Sequence, residues 1–164
     1  MPRRLLALIL SLATSATLAA YAVPLQAKPP AKAPAHNGED IPQTELIQPA
    51  DLAKTLAGDS AKPLILQVGS KVMFDQGHIP GAEYAGPGGQ PDGRAALTKH
   101  VQNLPREKAI VLYCGCCPWD KCPNIRAAYW EMRKNYFINV KVLYIPQDYG
   151  TDWVAKGYPS TGTK

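Results

Sequence analysis

Three short, nearly continuous apolar runs stand out along the chain: residues 64–68 (Leu-Ile-Leu-Gln-Val), 109–113 (Ala-Ile-Val-Leu-Tyr) and 140–145 (Val-Lys-Val-Leu-Tyr-Ile). Runs of this length and composition predict strands buried on both faces. Between and around them the apolar positions recur every three or four residues, the helical period. Residues 49–57 show that spacing and stop at Gly58. Residues 94–104 show it again, with Ala95, Leu97, Val101 and Leu104 as the predicted inner face. A third helix opens at Pro123, a favoured first position. It carries Ile125, Ala128, Tyr129, Met132 and Tyr136 as its stripe, with Arg126, Glu131 and Arg133 outside. Shorter features fill the gaps: one helical turn at 71–76, a strand at 83–85, a Gly/Pro-rich loop at 86–93 and a last short helix at 149–156. Strands alternating with helices predict an α/β fold, a parallel central sheet with helices on both faces. In such sheets the reactive crevice lies at the carboxyl ends of the strands.

The pattern changes before residue 39. Arg3 and Arg4 precede an apolar run of small residues from Leu5 to Ala20, followed by Ala20-Tyr21-Ala22. This reads as a secretory signal peptide over residues 1–22, with cleavage after Ala22 or after Ala27. The apolar core is short for a membrane span and is broken by Ser11, Thr14, Ser15 and Thr17, so an uncleaved anchor is the weaker alternative. No cysteine lies near the cleavage site, which excludes a lipoprotein. Residues 23–38, rich in Pro, Ala and Lys, have nothing to bury and read as a disordered linker, with His36 solvated in it. Residues 39–164 then form one domain, and no second segment is apolar enough to span a bilayer after signal cleavage. The expected location is periplasmic or secreted.

Charge narrows the partners. The chain carries 18 Lys and Arg against 13 Asp and Glu, a formal +5. Setting Arg3 and Arg4 aside leaves a net +3, with no basic run and no aromatic–basic interleaving. Nucleic-acid binding is not indicated.

The candidate chemistry is concentrated in one place. All 4 cysteines fall between Tyr113 and Pro123: Cys114, Cys116, Cys117 and Cys122. The run joins a predicted strand to a predicted helix, so backbone N–H groups and a positive helix end face it. Thiols in such surroundings ionise readily, and thiolates are nucleophiles and metal ligands. Outside the cytosol four thiols could pair as disulfides. But Cys116 and Cys117 are adjacent, and rings this small remove little unfolded-state entropy. Sulfur, redox or metal chemistry explains the cluster better than stapling does. The soft donor set suits zinc, copper or an iron–sulfur centre, although the spacing C-x-C-C-x4-C matches no familiar metal motif.

Three segments together resemble the rhodanese domain: Gly77-His78-Ile79-Pro80-Gly81-Ala82, the strand-to-cysteine run Ile110-Val-Leu-Tyr-Cys114, and Ala127-Ala128 in an amphipathic helix followed by Asn139-Val140 and a last strand. The resemblance covers residues 44–159. It implies a rhodanese-like fold and a sulfurtransferase whose cysteine carries sulfane sulfur as a persulfide. By position that cysteine is Cys114, which is expected to be the most reactive thiol. Cys116, Cys117 or Cys122 would then resolve the persulfide or share in a metal site. The implied partner is a small sulfur-containing substrate or a protein thiol. Two rivals follow from the same residues: a non-catalytic metal-binding module on Cys114, Cys116, Cys117 and Cys122, and an inactive rhodanese fold used for protein interaction.

The chain departs from the family at identifiable positions. Gln67-Val68-Gly69 stands where an Asp-x-Arg is usual. Trp119 occupies the position after the cysteine where a basic residue usually closes the loop, and the loop itself is several residues longer. Lys121 and Arg126 are the nearest cations, and neither is in register. A phosphatase-like loop would need an arginine that Asp120 and Lys121 do not supply. Among the remaining residues, His78 is expected to fix its turn and His100 to be solvated. Trp119 is expected to roof the loop or pack beside it. Asp148, Tyr149 and Trp153 are candidates for lining the same crevice.

Overall fold

The computed structural model describes residues 40–162. The predicted signal peptide, linker and His36 lie outside the described residues. The elements run β1 (Leu46–Ile47), α1 (Pro49–Ala57), β2 (Leu64–Gln67), α2 (Lys71–Gln76), β3 (Glu83–Tyr84), α3 (Pro91–Val101), β4 (Ile110–Tyr113), α4 (Pro123–Lys134), β5 (Val140–Leu143) and α5 (Tyr149–Asp152). The five strands form one parallel sheet in the order β1-β5-β4-β2-β3. The predicted α/β class is therefore the observed one. No helix among the described residues is long and apolar enough to cross a membrane.

Strand alternation sorts the core into two layers. Leu66, Leu112 and Val142 point to the side covered by α3 and α4, where Leu97, Val101, Ile125, Tyr129 and Met132 meet them. Ile65, Val111, Tyr113 and Leu143 point to the opposite side, against Leu52, Ile79, Tyr149 and Trp153. Cys114 shares the parity of Leu112 and joins the first layer. Both faces being buried is the reason these strands read as unbroken apolar runs.

Several boundaries differ from the sequence reading. α3 starts at Pro91, with Arg94 N–H bonded to Gln90 O at 3.0 Å, and ends at Val101. The Gly/Pro composition of residues 86–93 masks this first turn, although proline at a helix start is favourable. Within α3, Leu97 and Val101 are buried as expected, whereas Ala95 is exposed. α4 ends at Lys134, and Tyr136 lies beyond it with φ 64° and 41% exposure. Phe137, not Tyr136, enters the core there. β1 has only two residues, too few for a periodic signal, yet it pairs with β5 through Leu46 and Val142 and through Ile47 and Leu143. The last helix is two pieces, α5 and a 3-10 turn at Val154–Lys156.

Candidate active site

The site forms where β4 stops. Its last residue, Tyr113, delivers Cys114, and Gly115 then turns the chain with φ 72°. That left-handed backbone favours glycine. A side chain there would also meet Tyr149 Cβ at 2.8 Å, so position 115 excludes others twice over. Gly115 O accepts from Tyr149 N–H at 3.0 Å, tying the loop to α5. Trp119–Lys121 make a 3-10 turn, and Cys122 caps α4.

All four cysteines are free thiols. The Sγ atoms of Cys114, Cys116 and Cys117 lie within 4.8 Å of one another. Cys114 Sγ is 3.0 Å from Cys116 Sγ, and Cys116 Sγ is 3.6 Å from Cys117 Sγ. Cys122 stands outside that triangle but within hydrogen-bonding reach of it. Cys114 and Cys122 are buried, at 5% and 6% exposure, while Cys116 and Cys117 are half-buried.

The four sulfurs have unlike environments. Hydrogen bonds from the Cys114 and Cys122 thiols converge on Cys116 and hold its pKa far below the ordinary thiol value, against the opposing effect of burial. Its hydrogen bonds with Cys116 and Cys122, together with burial, push Cys114 up. Burial first, then its bonds to Cys116 and Cys122, pushes Cys117 up to about 12. Of the three shifted thiols, Cys116 is the one whose surroundings favour the thiolate.

Asn124, which the sequence reading did not single out, organises the pair. Its side chain is buried, and Nδ2 donates to Cys114 Sγ at 3.5 Å and to Cys116 Sγ at 3.6 Å. Its Oδ1 accepts from Gly89 N–H at 2.9 Å, which fastens the 86–90 loop to the cysteines. The helix-opening Pro123-Asn124 was the available signal, but nothing in the sequence marks such an asparagine as facing thiols.

The residues that replace the usual Asp-x-Arg have a local role. Gln67 is buried; its Nε2 donates to Cys114 O at 3.4 Å and its Oε1 accepts from Gly69 N–H at 3.2 Å. A Cβ on Gly69 would stand 2.8 Å from Cys114 Sγ, so glycine makes room for the sulfur.

An open cleft of about 520 Å³ reaches this cluster from one side. Cys116 forms part of its wall with Ser70, Lys71, Tyr84 and Asn124; Cys114 does not. Lys71, also unremarked in the sequence, is the only charged side chain lining the cleft. Neither of the cations weighed earlier enters it. Lys121 is exposed, and Arg126 bonds Trp119 O at 3.0 Å and Asp40 Oδ1 at 2.9 Å.

Other expectations resolve structurally. His78 stacks on Phe74 at 4.0 Å and bonds Phe74 O through Nδ1 at 2.8 Å, fixing its turn as expected. His100 is exposed but bonded, its Nε2 lying 2.7 Å from Glu83 Oε2, so it is not merely solvated. Trp119 packs edge-on against Tyr144 at 5.0 Å. Asp148 caps α5 through Thr151 N–H at 2.8 Å, and Tyr149 and Trp153 are core residues; none of the three lines the cleft. The two aromatic side chains belong to packing.

A family model described as "Rhodanese-like domain" matches residues 48–143. The fold is similar to that of the Alr3790 protein from Anabaena sp., with a TM-score of 0.55 and 20% identity over 71% of this chain and 91% of that one. It is also similar to the BH2092 protein from Bacillus halodurans, with a TM-score of 0.56 and 22% identity over 71% of this chain and 76% of that one. No curated protein matches the sequence.

Proposed function

Because the chain belongs to the rhodanese-like domain family, we propose that it moves sulfane sulfur, and that in this chain Cys116 takes the sulfur and Cys114 stands behind it. The supporting observation is that Cys116 lines the 520 Å³ cleft while Cys114 Sγ lies 3.0 Å away on the buried side. The family register points to Cys114 as the persulfide carrier; the access path in this chain ends at Cys116.

The chemistry balances without a cofactor. The Cys116 thiolate attacks the sulfane sulfur of a donor X–S⁻, forming the S–S bond of a Cys116 persulfide. The bond from sulfur to X breaks, and its electron pair leaves with X. An acceptor thiophile, a small molecule or a protein thiol, then takes the outer sulfur and restores the Cys116 thiolate. In the alternative release, Cys114 loses its proton and attacks the inner Cys116 sulfur. That forms the Cys114–Cys116 disulfide and expels hydrosulfide, and a dithiol reductant must then return two electrons. Asn124 Nδ2 bonds both sulfurs and so steadies charge on either. Lys71, which is ion-paired with Asp75, is the one cation on the cleft wall that an anionic donor would meet on entering.

The arginine pair and apolar run at the N-terminus support action outside the cytosol, in the periplasm or the medium. Mass spectrometry of the protein from a cell-envelope fraction is expected to find the new N-terminus at Val23 or Lys28; an intact Met1 would contradict signal cleavage.

Reduced protein incubated with thiosulfate, polysulfide or a low-molecular-weight persulfide is expected to gain the mass of one sulfur atom and to lose it to cyanide. Failure of all three donors to load the folded protein would overturn the proposal.

A further inference from the structure

The sulfurs of Cys114, Cys116 and Cys117, all within 4.8 Å of one another, form a group that contains no carboxylate and no imidazole. A hard, oxygen-seeking cation has nothing to bind there. A soft ion does. A metal–thiolate bond of about 2.3 Å, the zinc value, sets three sulfurs around one ion about 4 Å apart. The 3.0 Å between Cys114 and Cys116 and the 3.6 Å between Cys116 and Cys117 reach that spacing with shifts of about 1 Å or less. The surroundings already orient the donors. Asn124 Nδ2 bonds the sulfurs of Cys114 and Cys116, and Gln67 Nε2 holds Cys114 O. Supporting bonds of this kind fix metal ligands in direction. The positive end of α4, which begins at Pro123, offsets the charge that thiolates bring.

We propose that Cys114, Cys116 and Cys117 together bind one Cu(I) ion. Soft thiolates select Cu(I), and three of them satisfy it. Zinc asks for a fourth protein ligand in a closed tetrahedral site, and the remaining thiol, Cys122, lies outside the group. Cys122 is buried within hydrogen-bonding reach of the three and supports them as a neighbour. Cys116 lines the cleft, which gives the ion its way in. Each protonated thiol that binds releases its proton to solvent. The site itself does not depend on sulfur transfer. Its consequence rests on the reading of Cys116 as the sulfur carrier: an ion on Cys116 and a persulfide on Cys116 exclude each other.

The test is an anaerobic titration of the full, reduced chain with Cu(I) against a coloured competing chelator, with no sulfur donor present. One equivalent is expected to bind. C114S, C116S and C117S are each expected to weaken binding more than about tenfold, since loss of a supporting residue alone already costs about that much. C122S is expected to weaken it less than any of the three. Two measurements on the unmutated protein keep the proposal testable if a variant fails to fold. X-ray absorption at the copper edge is expected to count three sulfurs at about 2.3 Å. Alkylation is expected to label half-buried Cys116 and Cys117 in the metal-free protein and neither of them once Cu(I) is bound. A count of two or four sulfurs, full affinity in C116S, or Cys116 or Cys117 still labelled with Cu(I) bound would overturn the three-ligand site. Sulfur loading is then measured before and after one equivalent of Cu(I). Failure to load in the metal-free protein counts against the sulfur-transfer reading alone, while loading undiminished by the ion counts against the shared use of Cys116.

Discussion

Asn124 spans the two sulfurs of the proposed reaction, and its removal separates their chemistry from the fold. In Asn124→Ala both Cys114 and Cys116 lose an amide donor, and Gly89 N–H loses its acceptor. A hydrogen bond to a charged group is worth about 1.5–3 kcal/mol. Cys116 alkylation near neutral pH is therefore expected to slow by about tenfold or more, as read by peptide mass spectrometry. A rate equal to wild type would remove Asn124 from the site. Gly69→Ala tests the space allowed to Cys114, since the new Cβ would stand 2.8 Å from its sulfur and 2.9 Å from Gln67 Nε2. Overpacking of this kind costs about 1–3 kcal/mol, measurable as a lower urea midpoint. The cysteines were legible in the sequence because four in one loop is unusual by itself. Asn124 and Lys71 were not. An asparagine after a proline and a lysine opening a short helix are ordinary, and only the loops folded around them give them a role.

Elements long enough to complete a period were legible, and their ends were not. Strands β2, β4 and β5 and helices α1 and α4 follow from apolar spacing. β1 does not, because two residues carry no alternation and gain their place from pairing with β5. The end of α4 misled for another reason. Tyr136 sits in phase with the stripe, but the helix stops at Lys134 and the chain reverses through Tyr136 in the left-handed region. Asn135 and Tyr136 N–H groups cap the helix at Glu131 O and Arg133 O, and Phe137 fills the core. A non-glycine residue in that conformation costs about 1–2 kcal/mol. Tyr136→Gly is accordingly expected to raise the urea midpoint by about 1 kcal/mol of stability, part of the gain being offset by the freer unfolded chain. A clear loss of stability would mean that the exposed tyrosine makes contacts that outweigh its backbone strain.

At the scale of the molecule, the parallel sheet brings the site together. β2 carries Gln67 and leads into Gly69 and Lys71, β4 delivers Cys114, and the loop before α3 closes over Asn124, so the carboxyl ends of the strands surround one cleft. Among the described residues, Asp40 pairs with Arg126 and Ile41 is buried. Removing residues 1–38 is expected to leave the denaturation midpoint unchanged, because their Pro/Ala/Lys composition and short apolar run add nothing to this core. A loss of several kcal/mol would show that the segment docks on the domain. The central claim is narrower than the fold: sulfur enters at Cys116, with Cys114 as its neighbour. Persulfide loading measured by intact mass on metal-free wild type, C114S and C116S, each checked for a native unfolding transition, tests it directly. The account predicts that C114S loads one sulfur and C116S loads none. Undiminished loading in C116S, with loss in C114S, would contradict it and return the carrier role to Cys114.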